Sequence, residues 1–590
     1  MSCLLLYATQ TGTAEDTAVH LWRYFRALPL EDFQKPEVPL SIGDYDLARL
    51  ASESRPIVFI ISTTGDGEVP EEMRVFWRAL LKKSIPKNAM LSVEFAVLGL
   101  GDTSYALFNA AARKMRARLK ALGATELCAP ALLDESDPEN SELQLTRFQK
   151  ELAKLICGVD AESERLLHSV SFPLFKVKPA DSQHHLRKRS SPKWPKGCSE
   201  KLYKGRYREA VVISNEKLCS ESLQDRDVRL LRMRVDEGSL GYHPGDVVYI
   251  LPRNRSEIVD TFLQLFPVDG NSIVEISSQG LCLNVSSVTS IRELIYAQFD
   301  LNASPTRKLI ELMSNHASDE RERTRLKHLS SHEGADELYQ YTVREKRTVL
   351  MVFRDFPSVR PPLADLLEMI PRLRPRAFSI ASSPTFHKGE IHICISLVRY
   401  MTPLKKVREG VCSAFVKQSE EGDFVPFYVG AGTLSFSSLP SPVIMIGPGT
   451  GVAPFRSFLW ELSTRADTKN FDTWLFFGCR HEDKDYLFQQ EWRTLTEKGV
   501  LGNFVTAFSR DQQNKIYVQD RLNALSAQIG PLLARRDIRI FVAGAAGAMP
   551  RSVHRALVKA LTQTGLSETN SERHLSDLSK SRQYQVETWQ

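Results

Sequence analysis

The chain has 590 residues, 42% of them hydrophobic and 25% charged, with 31 Gly and 30 Pro. This is ordinary globular usage and excludes a disordered, collagen-like or coiled-coil polypeptide, while the length, at roughly 150 residues per domain, excludes one small binding module. Lys and Arg outnumber Asp and Glu by 77 to 71, a surplus of +6 too small for this length to imply a nucleic-acid partner.

Residues 1–157 alternate short apolar runs with helical stretches. Leu4 to Tyr7, Ile57 to Ile61 and Phe95 to Leu98 read as buried parallel strands. This part is mildly acidic, with 18 Lys or Arg against 21 Asp or Glu, so the positive surplus lies further on. Residues 158–202 turn Pro-, Ser- and Lys/Arg-rich around His184-His185-Leu186-Arg187-Lys188-Arg189, the composition of a basic flexible linker. Beyond it, Tyr207 to Ile213, Val228 to Val235 and Gly245 to Leu251 alternate like the strands of an antiparallel barrel. A helical insertion at about 255–345, charged over Ser314 to His332, interrupts that barrel. Strands are expected to resume at Thr348 to Phe353 and Ile391 to Leu397. From 441 a second α/β unit closes the chain, with strands Val443 to Ile446, Thr473 to Phe477 and Ile538 to Val542.

The nine cysteines contain no C-x-x-C pair, which argues against a disulfide framework and against a zinc site, so no metal is expected. The longest apolar runs are far shorter than the roughly 20 residues that span a bilayer. Met1 to Ala8 lacks a basic n-region and a cleavage site. A cytoplasmic protein without a membrane anchor is expected.

Three strand ends in the first unit carry chemistry. Thr9-Gln10-Thr11-Gly12-Thr13-Ala14 links a strand to a helix, and its hydroxyls and helix-start amides suit a phosphate dianion. It lacks the Lys of a nucleoside triphosphate loop, which argues against phosphoryl transfer. Ser62-Thr63-Thr64-Gly65 and Leu100-Gly101-Asp102-Thr103-Ser104-Tyr105 follow the next two strands, and in a doubly wound sheet such ends converge on one crevice. Together they resemble flavodoxin. The resemblance implies FMN, with Tyr105 stacked on its ring and Phe108, Asn109 and Glu135 nearby. Many relatives place an aromatic residue where Thr64 stands, which implies a less covered ring face.

Arg376-Ala377-Phe378-Ser379 and Gly410-Val411-Cys412-Ser413 resemble the two FAD motifs of the ferredoxin-NADP reductase group. There the Arg pairs with pyrophosphate, the aromatic covers the flavin and the second motif offers amides at a helix N-terminus. Arg344 matches a further FAD contact. Gly447-Pro448-Gly449-Thr450-Gly451 follows a strand and opens a helix, the context of a dinucleotide pyrophosphate loop. Ser509, Arg510, Lys515, Tyr517, Val518 and Gln519 supply cations and hydroxyls suited to the 2′-phosphate that distinguishes NADPH, and Ser552 joins that set by resemblance. In this group the aromatic matching Trp589 covers the FAD ring and swings aside for nicotinamide, while Ser379 and Glu587 orient the nicotinamide and stabilise charge during hydride transfer.

The resemblance now spans nearly the whole chain. The expected architecture is multidomain α/β plus β-barrel: a flavodoxin-like FMN domain at 1–157, the linker, an FAD-binding barrel at 203–440 and a ferredoxin-NADP reductase-like NADPH domain at 441–590. The chain is identified as a member of the diflavin reductases, related to cytochrome P450 reductase. Departures from the P450 branch are Ala543 and Ala545 where it has Cys and Asp, and Glu587 where it has Asp. Phe378, Ala543 and the Glu-Thr-Trp ending, with the compact length and the expected lack of a membrane anchor, resemble the branch serving cytosolic iron–sulfur assembly. That branch implies electron flow from NADPH through FAD and FMN to an iron–sulfur protein such as anamorsin. The alternatives are a soluble reductase for a P450, methionine synthase or sulfite reductase acceptor, and an NADPH-sensing scaffold. Asp66, Glu68, Glu71, Glu72, Asp134 and Glu135 suggest a crevice that docks a basic partner face.

Overall fold

A computed structural model describes residues 2–9, 12–28, 36–64, 67–82, 84–103, 107–158, 174–180, 208–223, 225–235, 241–278, 283, 285, 287–331, 333–436, 442–465 and 472–589. They divide into two compact units, one formed by residues 1–198, 263–294 and 303–374, the other by 199–262, 295–302 and 375–590.

The first unit is built on a parallel sheet whose order is Leu40–Ser41, Leu4–Ala8, Ile57–Ser62 and Glu94–Gly101, with Thr125–Glu126 and Ala131–Asp134 both beside the last strand. Ile57 to Ile61 are wholly buried, because helices cover both faces of such a sheet and leave no position for alternating polar residues. Helix Thr13–Ala27 buries Ala14, Ala18, Leu21, Trp22 and Phe25, a three-to-four-residue stripe against that sheet. Its N-terminus sits at the carboxyl edge of strand Leu4–Ala8.

The same unit holds a small antiparallel sheet, Val288–Ser290, Ile273–Ser278 and Phe175–Pro179. The last strand corrects the reading of 158–202 as linker throughout. Phe175 and Val177 alternate with exposed Lys176 and Lys178, a period-two pattern hidden by the basic composition. Residues 159–173 and 181–207 lie outside the described residues, and with them the basic run at 184–189. The first unit also includes 303–374. Thr348 to Phe353 is not a strand but the start of helix Val349–Asp355, where the Thr348 hydroxyl accepts the Met351 N–H at 3.3 Å. A five-residue apolar run with four residues buried fits either state by periodicity; the Thr348 cap selects the helix.

In the second unit six antiparallel strands run in the order Arg376–Ser379, Val247–Ile250, Phe424–Gly430, Arg208–Lys217, Val228–Arg234 and Glu390–Ser396. A bridge between Ile380 and Ile393 joins the two ends, closing the expected barrel. A parallel sheet follows in the order Asn503–Phe508, Thr473–Cys479, Val443–Pro448, Arg539–Ala545 and Tyr584–Trp589. One continuous core joins Val228, Leu230 and Ala381 of the barrel side to Met445 and Phe541 of the sheet and Phe455 of the helix Ala453–Leu462. That shared apolar contact fixes barrel and sheet against each other.

Candidate functional site

In the first unit, strand register sets Ala8 beside Ile61, Ser62 beside Leu100 and Gly101 beside Asp134. The turns that follow these residues therefore emerge side by side. Gly12 has φ +108°, a left-handed value that only glycine adopts without strain, and its N–H donates to the Thr9 hydroxyl at 2.7 Å. Thr13 and Ala14 form the first helical turn, where backbone amides have no partner within the helix. The Ser62 hydroxyl donates to Ala8 C=O at 3.1 Å, the Thr63 N–H donates to Leu100 C=O at 2.9 Å, and Thr64 bridges to Glu68. Gln10, Thr11, Gly65, Ser104 and Tyr105 lie outside the described residues.

The third turn is clamped by a carboxylate. Thr103 donates to Asp134 from its hydroxyl at 2.6 Å and from its amide at 3.0 Å, and the Ser136 hydroxyl donates at 2.7 Å. Burial raises the Asp134 carboxyl, but these bonds outweigh it and hold the group down at about 2. Asp102 precedes this clamp at the end of its strand. Asn109 is buried and donates from its side-chain amide to Leu133 C=O at 3.0 Å, so it anchors the end of the turn. Phe108 lies 5.9 Å from the Arg113 guanidinium. Glu135 is exposed and its N–H donates to Gly101 C=O at 2.8 Å.

Three carboxylates of the expected docking rim also make contacts within the first unit. Asp134 holds Thr103, Glu68 lies 3.6 Å from Arg74, and Glu72 accepts the Ser41 hydroxyl at 3.1 Å. Asp66 and the Glu71 side chain lie outside the described residues. The hydroxyl and amide donors fit a phosphate, and the three clustered strand ends fit a flat cofactor at the carboxyl edge.

In the second unit, a cavity of about 710 Å³ is lined by Arg226, Arg229, Tyr400, Glu409, Ser413 and Lys417. Gly410 caps helix Val411–Gln418, in which Val411, Cys412 and Ser413 are buried, and burial pushes the Cys412 thiol up to about 12. The Ser413 hydroxyl accepts the Val398 N–H at 2.9 Å, so it braces the hairpin Arg399–Met401 and Val407–Glu409. Cations, an exposed tyrosine face and a helix N-terminus around one cavity of this size fit an adenine dinucleotide. Tyr400 and Arg226 were missed from sequence; the exposed Val398, Tyr400, Met401 and Val407 are the signal that could have found the first. Arg376 opens the barrel strand 3.6 Å from Asp300, and Phe378 packs on the barrel core behind exposed Ala377. Arg344 lies in a helical turn of the first unit, donating to Gln340 at 3.0 Å.

The glycine turn after Val443–Pro448 lies where the strand order reverses, against Arg539–Ala545, and a Cβ on Gly451 would collide with the Ala543 carbonyl. This is the switch point at which doubly wound sheets bind nucleotides. Register sets Pro448 beside Gly478 and Cys479 beside Phe508, so Gly449, Thr450 and the turn carrying Ser509 and Arg510 lie on one edge. Arg510 and Lys515 are exposed, Tyr517 caps helix Val518–Ala524, Gln519 is part-buried, and Ser552 lies in helix Ala548–Thr562. Arg226 stands beside Gly449 and pairs at 2.5 Å with the wholly buried Asp485. Asp511 accepts the His481 ring nitrogen at 2.7 Å and the Glu482 N–H at 2.8 Å, tying the 480 and 510 turns together. These braces link residues far apart in sequence and carry no motif.

The Ser379 hydroxyl donates to Glu587 at 3.1 Å, and the Thr433 N–H donates to the other carboxylate oxygen at 3.3 Å. Glu587 is the register partner of buried Ala543, and Trp589 that of Ala545. The half-buried Trp589 packs on the core shared by barrel and sheet. Three strand elements thus bring the expected hydroxyl and carboxylate together.

These folds and sites define an NADPH oxidoreductase with FMN, FAD and NADPH as cofactors. Residues 5–147 match the flavodoxin family, 204–415 the FAD binding domain and 445–555 the oxidoreductase NAD-binding domain. Over 99% of both chains, the protein is 36% identical to "NADPH-dependent diflavin oxidoreductase 1" of Danio rerio, 34% to that of Mus musculus and 32% to that of Arabidopsis thaliana. The chain belongs to the family of NADPH-dependent diflavin oxidoreductases. Among the described residues, no helix is long and apolar enough to cross a membrane.

Proposed function

We propose that this diflavin reductase delivers electrons one at a time to an iron–sulfur protein of the anamorsin kind, in the cytoplasm, as part of iron–sulfur cluster assembly. The observation that carries the reading is the trio of Phe378, Ala543 and the Glu587-Thr588-Trp589 ending, which resembles that branch and departs from the P450 branch. When bound, NADPH, FAD and FMN supply the conversion of a two-electron donor into single-electron steps. The chain's own residues bind and orient. Arg510 and Lys515 would bind the 2′-phosphate, Arg376 and the Gly410–Ser413 turn would hold the FAD diphosphate, and Thr9 to Thr13 would hold the FMN phosphate. Ser379 and Glu587, fixed by Thr433, orient the nicotinamide and stabilise developing charge without a thiol at 543. Trp589 would cover the bound flavin and give way to nicotinamide.

The test mixes the purified chain and NADPH, without oxygen, with oxidised [2Fe–2S] anamorsin or, separately, with a P450. Bleaching of the cluster absorbance at a rate that saturates with anamorsin supports the reading. Flavins that reduce while the cluster stays oxidised, with the P450 reduced instead, would overturn it.

A further inference from the structure

Glu15 occupies the first turn of the helix that starts at the phosphate-binding turn, with a side chain only 7% exposed. A carboxylate there gains from the helix dipole but repels an anion seated on the same N-terminus. Arg372 donates to both of its oxygens, at 2.8 and 2.6 Å, and Arg374 donates at 2.8 Å. Both arginines are themselves largely buried, and they lie 357 and 359 residues away in sequence. Arg374 also reaches Gly12 C=O at 3.5 Å and Asp16 at 3.4 Å, and a Cβ on Gly12 would collide with its guanidinium. Burial alone would raise the Glu15 carboxyl, yet the two guanidiniums hold it below its ordinary range. A buried carboxylate stripped of such partners is strongly unfavourable, and a nearby phosphate dianion worsens it.

We propose that Arg372 and Arg374 are positioning residues for FMN. By neutralising Glu15 under the phosphate turn, they make FMN retention depend on a segment outside the flavodoxin-like domain. Two residues further on, Arg376 opens the barrel strand, so one short stretch serves both flavins. The inference rests on seating the FMN phosphate at Thr9 to Thr13.

The test uses the full chain as wild type, R372Q/R374Q, and the triple variant that adds E15Q. FMN and FAD per chain are quantified separately, and the FMN dissociation constant is measured by fluorescence on re-addition. The double variant is expected to bind FMN about tenfold more weakly with FAD content unchanged, and E15Q is expected to restore binding. Wild-type FMN affinity in the double variant, or a loss that E15Q does not relieve, would overturn the proposal. If the double variant also loses FAD, Arg374→Gln against Arg374→Lys decides: Lys keeps FMN and Gln loses it, and equal loss in both counts against the proposal. A wild-type chain that binds no FMN would overturn the seating of FMN and this proposal with it, whereas FMN bound by the wild type and held equally well by R372Q/R374Q would overturn the proposal alone.

Discussion

Ser379 and Glu587 are 208 residues apart in sequence and meet at 3.1 Å, so each can be removed without touching a flavin phosphate contact. Ser379→Ala and Glu587→Gln are each expected to slow NADPH-driven flavin bleaching by about tenfold to a hundredfold with FAD content unchanged, read by stopped-flow absorbance. Arg510 is exposed on a turn braced by His481 and Asp511. Arg510→Ala is expected to raise KM for NADPH by about tenfold or more while leaving KM for NADH nearly unchanged; parallel losses would remove the 2′-phosphate assignment. Glu72 titrates in a different range, because burial and then the charge of Glu15 push its carboxyl up to about 7. A carboxyl raised on folding stabilises the fold fully below its ordinary value and loses that contribution as pH rises through 7. Glu72→Gln should therefore flatten the fall in Tm between about pH 4.5 and 7, checked by thermal unfolding across that range.

At the scale of elements, the wholly buried strand Ile57–Ser62 carries the Thr63 and Thr64 turn. Phe59→Ala is expected to cost about 3–5 kcal/mol by opening a cavity, seen in denaturant unfolding followed by loss of FMN. That strand was legible because a parallel sheet covered on both sides demands an unbroken apolar run. The glycine turns were legible because phosphate binding at a strand end needs them in that order. Helix Val349–Asp355 was not, since its apolar run fits two periods and only the Thr348 cap decides. Strand Phe175–Pro179 was masked by its lysines. The Glu15 pair with Arg372 and Arg374, the Asp485 pair with Arg226 and the Asp134 clamp join distant segments, and such partners carry no local pattern. A sequence shows the Asp134 carboxylate but not the hydroxyls it accepts from.

At the scale of the molecule, barrel and terminal sheet share a core, so Glu587, the carboxylate proposed to orient nicotinamide, is presented by packing between two architectures. The strand that presents it, Tyr584–Trp589, pairs through Ile540 to Ala545 and is last in the sheet order. A stop codon at position 587 would spare every assigned flavin contact except Trp589 while deleting Glu587 outright. Such a product is expected to purify bright yellow, with normal absorbance near 450 nm, and to consume almost no NADPH. Pigmentation during purification therefore certifies folding but says nothing of competence, and preparations of this enzyme should be graded by turnover after mass spectrometry has verified an intact carboxyl terminus.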